Sequence, residues 1–319
     1  MNHASQPSYH PQPTRLHRIQ FNRRLTRTAF FTLFLVAPTL DLFRIDLANG
    51  HLVLFWHRFT PGVGSFLHEA ATSPLAAAMG IALYLLLPVA TVIVTVLWIS
   101  RRWGRLYCGW LCPHFTVVEW INGLMEKALG KPTLWEPTPM GRRTSRAWLL
   151  IMLLSGAAMG LLWAVSLITY VLPPQMIFEH IWHGTLTFAQ GLFIAVASVV
   201  FFIDFIFARH LFCRFGCAVG LAQSLAWMSN PAALSPFLNS RERGSCSGCP
   251  APCVTGCPMR LDPRGGKRRI STCTQCGICV QGCADISQVR AKNAPLIWTH
   301  GAAVSARPTS LFIHKGTEE

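Results

Sequence analysis

The sequence predicts a mainly α protein, with a four-helix transmembrane domain made of two repeated hairpins and a small cytoplasmic α+β domain after it. Three observations carry that expectation. Of 319 residues, 51% are hydrophobic and only 13% charged, against about 25% charged in an average soluble domain. The apolar runs at 75–99, 147–172 and 185–207 each reach the roughly 20 residues that a helix needs to cross a bilayer. Basic residues are also sorted by loop: of 28 Lys and Arg, 5 precede residue 29, 8 lie between 100 and 146, and 13 follow residue 207.

That sorting decides the first helix. The run at 29–40 is short, contains Pro38 and ends at Asp41, so hydropathy leaves it open between a span and an export signal. "NRRLTRTAFF" loosely resembles a twin-arginine leader, but cleavage there would put the basic regions on the wrong side. Basic loops stay cytoplasmic, and only Arg44 and Arg58 fall in the loops at 41–74 and 173–184, which carry Asp41, Asp46, Glu69 and Glu179. For both the N-terminus and residues 100–146 to lie inside, the chain must cross twice before Ser100. The expected layout is a basic cytoplasmic tail at 1–28, then a membrane domain at 29–229 with helices near 29–43, 75–99, 147–172 and 185–207. A cytoplasmic domain follows at 230–319. Both termini face the cytoplasm of a bacterial inner membrane, and attraction to anionic membrane lipid accounts for the net charge of +15 without any nucleic acid.

All twelve cysteines fall on the cytoplasmic side of this layout, where thiols stay reduced and bound metal is favoured over disulfides. "CSGCPAPCVTGC" opens at Cys246 and "CTQCGICVQGC" at Cys273; the second has the CxxCxxCxxxC spacing of bacterial ferredoxins. Short steps let one loop wrap three thiolates around one cluster face, while the fourth cysteine reaches the neighbouring cluster. Two 4Fe-4S clusters are therefore expected, one on Cys246, Cys249, Cys253 and Cys283, the other on Cys273, Cys276, Cys279 and Cys257. The α+β domain is accordingly ferredoxin-like. Zinc is the competing metal, but structural zinc takes paired CxxC knuckles rather than two runs of four. The first run departs by one extra residue before Cys253, and Ala284 stands where the second run usually has proline.

The other four cysteines form two CxxxC pairs in a repeated setting, "RLYCGWLCPHFTVVEWINGL" and "HLFCRFGCAVGLAQSLAWM". In each, a membrane helix runs into the pair and then into a segment with apolar residues at helical spacing: Val118, Ile121, Leu124, Met125 and Ala128, or Val219, Ala222, Leu225 and Ala226. Paired hairpins would bring Cys108 and Cys112 near Cys213 and Cys217. Such a site would hold a third cluster, copper or reduced thiols.

These motifs resemble the membrane iron-sulfur proteins that include the oxidase accessory protein CcoG/FixG and the quinol dehydrogenase subunit NapH. "CGWLCP" is similar to their CxxxCP motif, "CPMRLDPRGGKRRISTCTQCGICVQGCADI" to the cysteine stretch of the CcoG type, and "LFRIDLANGHLVLFW" to its segment after the first helix. Ala218 replaces the proline of the second CxxxCP, and four helices with both ends inside match NapH more nearly. The resemblance implies one-electron transfer between a membrane donor, such as quinol, and a redox partner protein. Copper reduction or handling for a terminal oxidase is the alternative.

The remaining polar residues are read more plainly. "DPRGGKRR" is a turn with a solvated basic patch, not a phosphate loop. His51, His57, His68, His180 and His183 map to the outer loops, where they read as polar edges of interfacial aromatic belts, with copper or haem ligation as the rival. His114 and His210 flank the CxxxC pairs as donors. Asp204, costly in lipid, reads as a proton acceptor or an arginine partner. Gly156 and Gly160 form a GxxxG packing signal.

Overall fold

The computed structural model describes residues 13–47, 51–59, 74–131, 134 and 145–300. Helix dominates them, with two small antiparallel sheets. Two compact units result: Phe21–Leu97 with Leu106–Ala222, and Met1–Gln20 with Trp98–Arg105 and Gln223–Glu319.

Helix α1 (Pro13–Val36) starts well ahead of the expected run at 29–43, and much of the expected basic tail is helical. Proline at the first helical position suits the start. The charge is accommodated by tertiary partners: Arg23 and Arg27 are buried, both pair with Glu119, and Arg23 Nε donates to the Gly109 carbonyl at 2.8 Å. A hydropathy window cannot register a charge neutralised by a residue so distant in sequence.

After α1 comes a sheet where the sequence predicts a loop. Strands β1 (Phe43–Asp46), β2 (His51–Leu54) and β3 (His57–Phe59) form an antiparallel meander, with Phe43 opposite Leu54 and Leu52 opposite Phe59. Arg44 is buried and held by Asp41 at 2.6 Å and Asp46 at 2.8 Å. The run at 75–99 becomes α2 (Pro74–Ile81), a π turn (Ala82–Leu86) and α3 (Leu87–Trp103). Pro88 has no N–H to donate into the preceding turn, which accounts for the wider turn there.

Helix α4 (Leu106–Trp110) leads to α5 (Pro113–Leu129), whose predicted apolar face of Val118, Ile121, Leu124, Met125 and Ala128 is buried throughout. Its partners include Met152 and Trp163 of α6 (Arg146–Val171), and Phe205 and Ile206 beyond α8 (Phe188–Ile203). A short α7 (Pro174–His183) packs Ile177 against Ala164, Ile168 and Ile194. Thr187 and Gln190 close a capping box that starts α8. Among the described residues, two helical segments are long and apolar enough to cross a membrane, Arg146–Val171 and Phe188–Ala208. They approach closely at glycine: a Cβ on Gly160 would stand 2.7 Å from the Ser198 carbonyl oxygen. Helix α9 (Ala218–Met228) instead leaves Val219 and Leu225 exposed.

In the other unit, β4 (Leu234–Leu238) pairs antiparallel with β5 (Leu296–His300) and brackets the cysteine-rich loops. Two α-helices, α10 (Pro252–Thr255) and α11 (Ile278–Val289), and three short 3-10 turns lie between them in sequence. Leu16 from α1 joins Val280, Ala284 and Leu296 in its core. Gln20 Nε2 donates to the Cys276 carbonyl at 2.7 Å.

Candidate functional site

The cysteine loops are built from tight turns that only a few residue types favour. Gly248 (φ +66°) separates Cys246 from Cys249, and Gly277 (φ +78°) separates Cys276 from α11. Both lie in the left-handed region that costs glycine little. Cys253 lies on α10, and Cys279 and Cys283 lie four apart on α11, so they share a face one turn apart, about 6 Å along the axis.

Two cavities result. One is lined by Cys246, Cys249, Cys253 and Cys283, the other by Cys257, Cys273, Cys276 and Cys279. Each set draws three thiols from one run and one from the other. No Asp, Glu or His lines either cavity, and an all-thiol set is a soft donor set that suits iron-sulfur clusters or zinc. Among the described residues, no three His, Cys, Asp or Glu converge tightly enough to hold a single metal ion.

The surroundings of the two sets differ. Arg264, Arg290 and Lys292 rim the first, whereas Met259, Leu261, Ile270 and Trp298 wall the second. Burial pushes the Cys253 thiol up to about 11 and raises Cys257 and Cys283 as well. Cys273 and Cys279, buried more deeply, are pushed further in the same direction. Thiols held this way stay protonated until a metal displaces the protons. The backbone also offers donors to sulfur, as Leu261 N–H does to Cys257 Sγ at 3.4 Å.

The CxxxC pairs sit in the larger unit in matching local settings. Cys108 lies on α4 and Cys112 is the N-cap of α5; Cys213 lies in a π turn (Phe212–Gly216) and Cys217 immediately precedes α9. Gly220 N–H donates to Cys217 Sγ at 3.4 Å. Burial, and then the neighbouring Cys112, Cys108 and Cys217 thiols, push the Tyr107 hydroxyl up to about 12, so these three cysteines share one neighbourhood. Cys213 Sγ contacts His114 Nδ1 at 3.5 Å, and His114 Nε2 lies 2.5 Å from Asp204 Oδ2.

Comparison with known proteins points to iron-sulfur binding. A family profile described as a 4Fe-4S binding domain matches residues 80–132, the stretch holding Cys108 and Cys112. YccM of Escherichia coli K12, named for electron transport, is 30% identical over 60% of this chain and 52% of its own length. MauN of Paracoccus denitrificans, a methylamine utilization ferredoxin-type protein, is 31% identical over 49% of this chain and 48% of its own. The ferredoxin-type protein NapH of Haemophilus influenzae is 24% identical over 84% of this chain and 88% of its own. The chain is thus similar to ferredoxin-type iron-sulfur proteins of the NapH kind. The chain spans about half the length of the first two of these relatives. No solved structure matches.

Three features of the chain could not be read from sequence. Arg105 is buried, donates to the Thr272 carbonyl at 3.2 Å and acts electrostatically on Cys273; its only signal is its place three residues before Cys108. Glu119 joins two buried arginines, and only the approach of α1 to α5 reveals it. Asp204, read as a proton acceptor or an arginine partner, has its side chain on His114. Of the outer histidines, His57 is exposed, His180 Nδ1 lies 3.1 Å from Gln190 Oε1, and His68 lies outside the described residues.

Proposed function

We propose that the chain is a membrane-bound iron-sulfur carrier passing single electrons from a lipid-soluble quinol to a redox partner protein. The observation that carries this reading is the pair of four-thiol cavities, lined by Cys246, Cys249, Cys253 and Cys283, and by Cys257, Cys273, Cys276 and Cys279. Each would hold one 4Fe-4S cluster, and such clusters exchange one electron at a time without bond-making chemistry. The chain's own task is to fix the distance between centres and tune them through burial, charge and N–H donors to sulfur. The rim of Arg264, Arg290 and Lys292 favours extra negative charge in the first cavity. The apolar wall of the second gives no such help.

The membrane layout belongs to the same reading: four spanning helices, with the N-terminus and residues 230–319 in the cytoplasm of a bacterial inner membrane. The loop charge bias and two sufficiently apolar helices support it. For Cys108, Cys112, Cys213 and Cys217, a third cluster is favoured, since the matched 4Fe-4S profile covers the first two. Copper handling is the second reading, favoured by the contact between Cys213 sulfur and the imidazole of His114, two residues from Cys112.

One experiment separates them. Protein purified anaerobically is mixed with a quinol analogue while cluster absorbance is followed. The carrier reading expects bleaching that slows in Cys108→Ala. If Cys108→Ala loses copper while iron content and quinol reduction stay at wild-type levels, the copper reading replaces it.

A further inference from the structure

The larger unit holds a cavity of about 550 Å³ between α1 and α5, lined by Arg24, Arg27, Phe31, Thr116, Glu119 and Trp120 among others. Its volume falls within the roughly 300–1,000 Å³ of small-molecule sites, which are usually apolar with a few placed polar groups. Phe31, Trp120, Val117 and Met159 supply apolar wall. Glu119 is held in place by Arg23 and Arg27, and Arg27 Nε also donates to Thr116 Oγ1 at 3.4 Å. Polar groups fixed in this way cost little further ordering when a ligand arrives.

The cavity also adjoins a redox motif. Thr116 Oγ1 donates to the Cys112 carbonyl at 3.0 Å, and Arg23 Nε donates to the carbonyl of Gly109, between Cys108 and Cys112. One wall of the cavity is therefore one helical turn from a CxxxC pair.

We infer that this cavity binds the head group of the quinol, an inference that rests on the carrier reading above and locates its donor site. A quinol ring presents a flat aromatic face and two hydroxyls. Phe31 and Trp120 offer apolar aromatic surface, Arg24 and Arg27 donate to oxygen, and the Glu119 carboxylate accepts from a hydroxyl. On oxidation, two O–H bonds would break, two protons would be released to water, and two electrons would be taken up one at a time by the iron-sulfur clusters that the chain's cysteines would hold. A phospholipid head group is the competing occupant of an arginine-lined cavity, but adjacency to Cys112 would do nothing for a lipid.

The test uses the full chain, purified anaerobically, with short-tailed naphthoquinone and benzoquinone as probes. Trp120→Ala and Arg24→Gln are compared with Trp182→Ala, a control on an exposed residue of α7. Quinone affinity should fall about tenfold in each of the first two variants and stay unchanged in the control. Their reduction by quinol should slow by a similar factor, while iron and sulfide content and reduction by dithionite match wild type. Wild-type quinone affinity in both variants overturns the site. Loss of a co-purifying anionic phospholipid with quinone affinity intact also overturns it and identifies a lipid site. Absence of iron and sulfide from the wild-type chain would defeat the carrier reading, a separate outcome from a binding failure.

Discussion

His114 Nε2 lies 2.5 Å from Asp204 Oδ2, joining the first turn of α5 to the π turn (Asp204–Ala208) that follows α8. The other ring nitrogen of His114 lies 3.5 Å from Cys213 Sγ. The carboxylate thus orients an imidazole whose second nitrogen faces sulfur. Asp204→Ala should destabilise the protein by about 1–3 kcal/mol, because it leaves a buried imidazole nitrogen without its acceptor. Denaturant unfolding in detergent reads this, and the double variant with His114→Ala should cost clearly less than the sum of the two single changes. Strict additivity would mean that the two side chains act independently.

The approach of α6 to α8 rests on glycine. At Gly160 an added Cβ meets backbone on α8, at 2.7 Å from Ser198 O and 3.1 Å from Phe202 N. Backbone cannot rotate aside as a side chain can. Gly160→Val should cost about 1–3 kcal/mol through overpacking. Gly123 in α5 has open space around it, so Gly123→Ala should stabilise by about 0.5–1 kcal/mol. Equal thermal midpoints for the two variants would refute this account of the contact.

Removing metal should make the small unit sensitive to alkali. The folded-state Cys253 thiol is raised from 9.0 to about 11, chiefly by burial. A group bound more tightly to its proton in the folded state contributes stability that is complete below the unfolded value. That contribution is lost as pH rises through the folded value. Melting of metal-free protein should therefore drop between about pH 9 and pH 11, while loaded protein stays flat over the same window. A flat profile for both forms contradicts the thiol reading.

The grouping of eight cysteines around two cavities is legible in sequence, because short spacings along one loop leave few ways to gather thiols. The α5 face was legible for the same local reason: Val118, Ile121, Leu124 and Met125 recur at helical spacing. The start of α1 was not, since Arg23 and Arg27 look like a solvated tail until Glu119 is brought beside them. Nor was the meander at 43–59, where the buried Arg44 and Asp46 break the apolar alternation that marks a half-buried strand. Gly156 and Gly160 gave a weak signal, and only the facing helix shows what they admit.

Exchange of the fourth cysteine between the two runs has its own test. With Cys283 lining the cavity of Cys246, Cys249 and Cys253, Cys283→Ala should alter the spectrum of that centre. Cys257→Ala should alter the centre of Cys273, Cys276 and Cys279. EPR of the two variants after partial reduction distinguishes them. Damage confined to each cysteine's own run would refute the crossed arrangement.

The central claim, that these thiols hold iron-sulfur clusters for electron transfer, meets its most direct test in metal and sulfide analysis of the anaerobically purified chain. The account predicts about eight iron atoms and about eight acid-labile sulfides from residues 230–319. Two one-electron EPR signals should appear on reduction, and more iron should be found if the CxxxC pairs hold a third cluster. Stoichiometric zinc with no labile sulfide would contradict it.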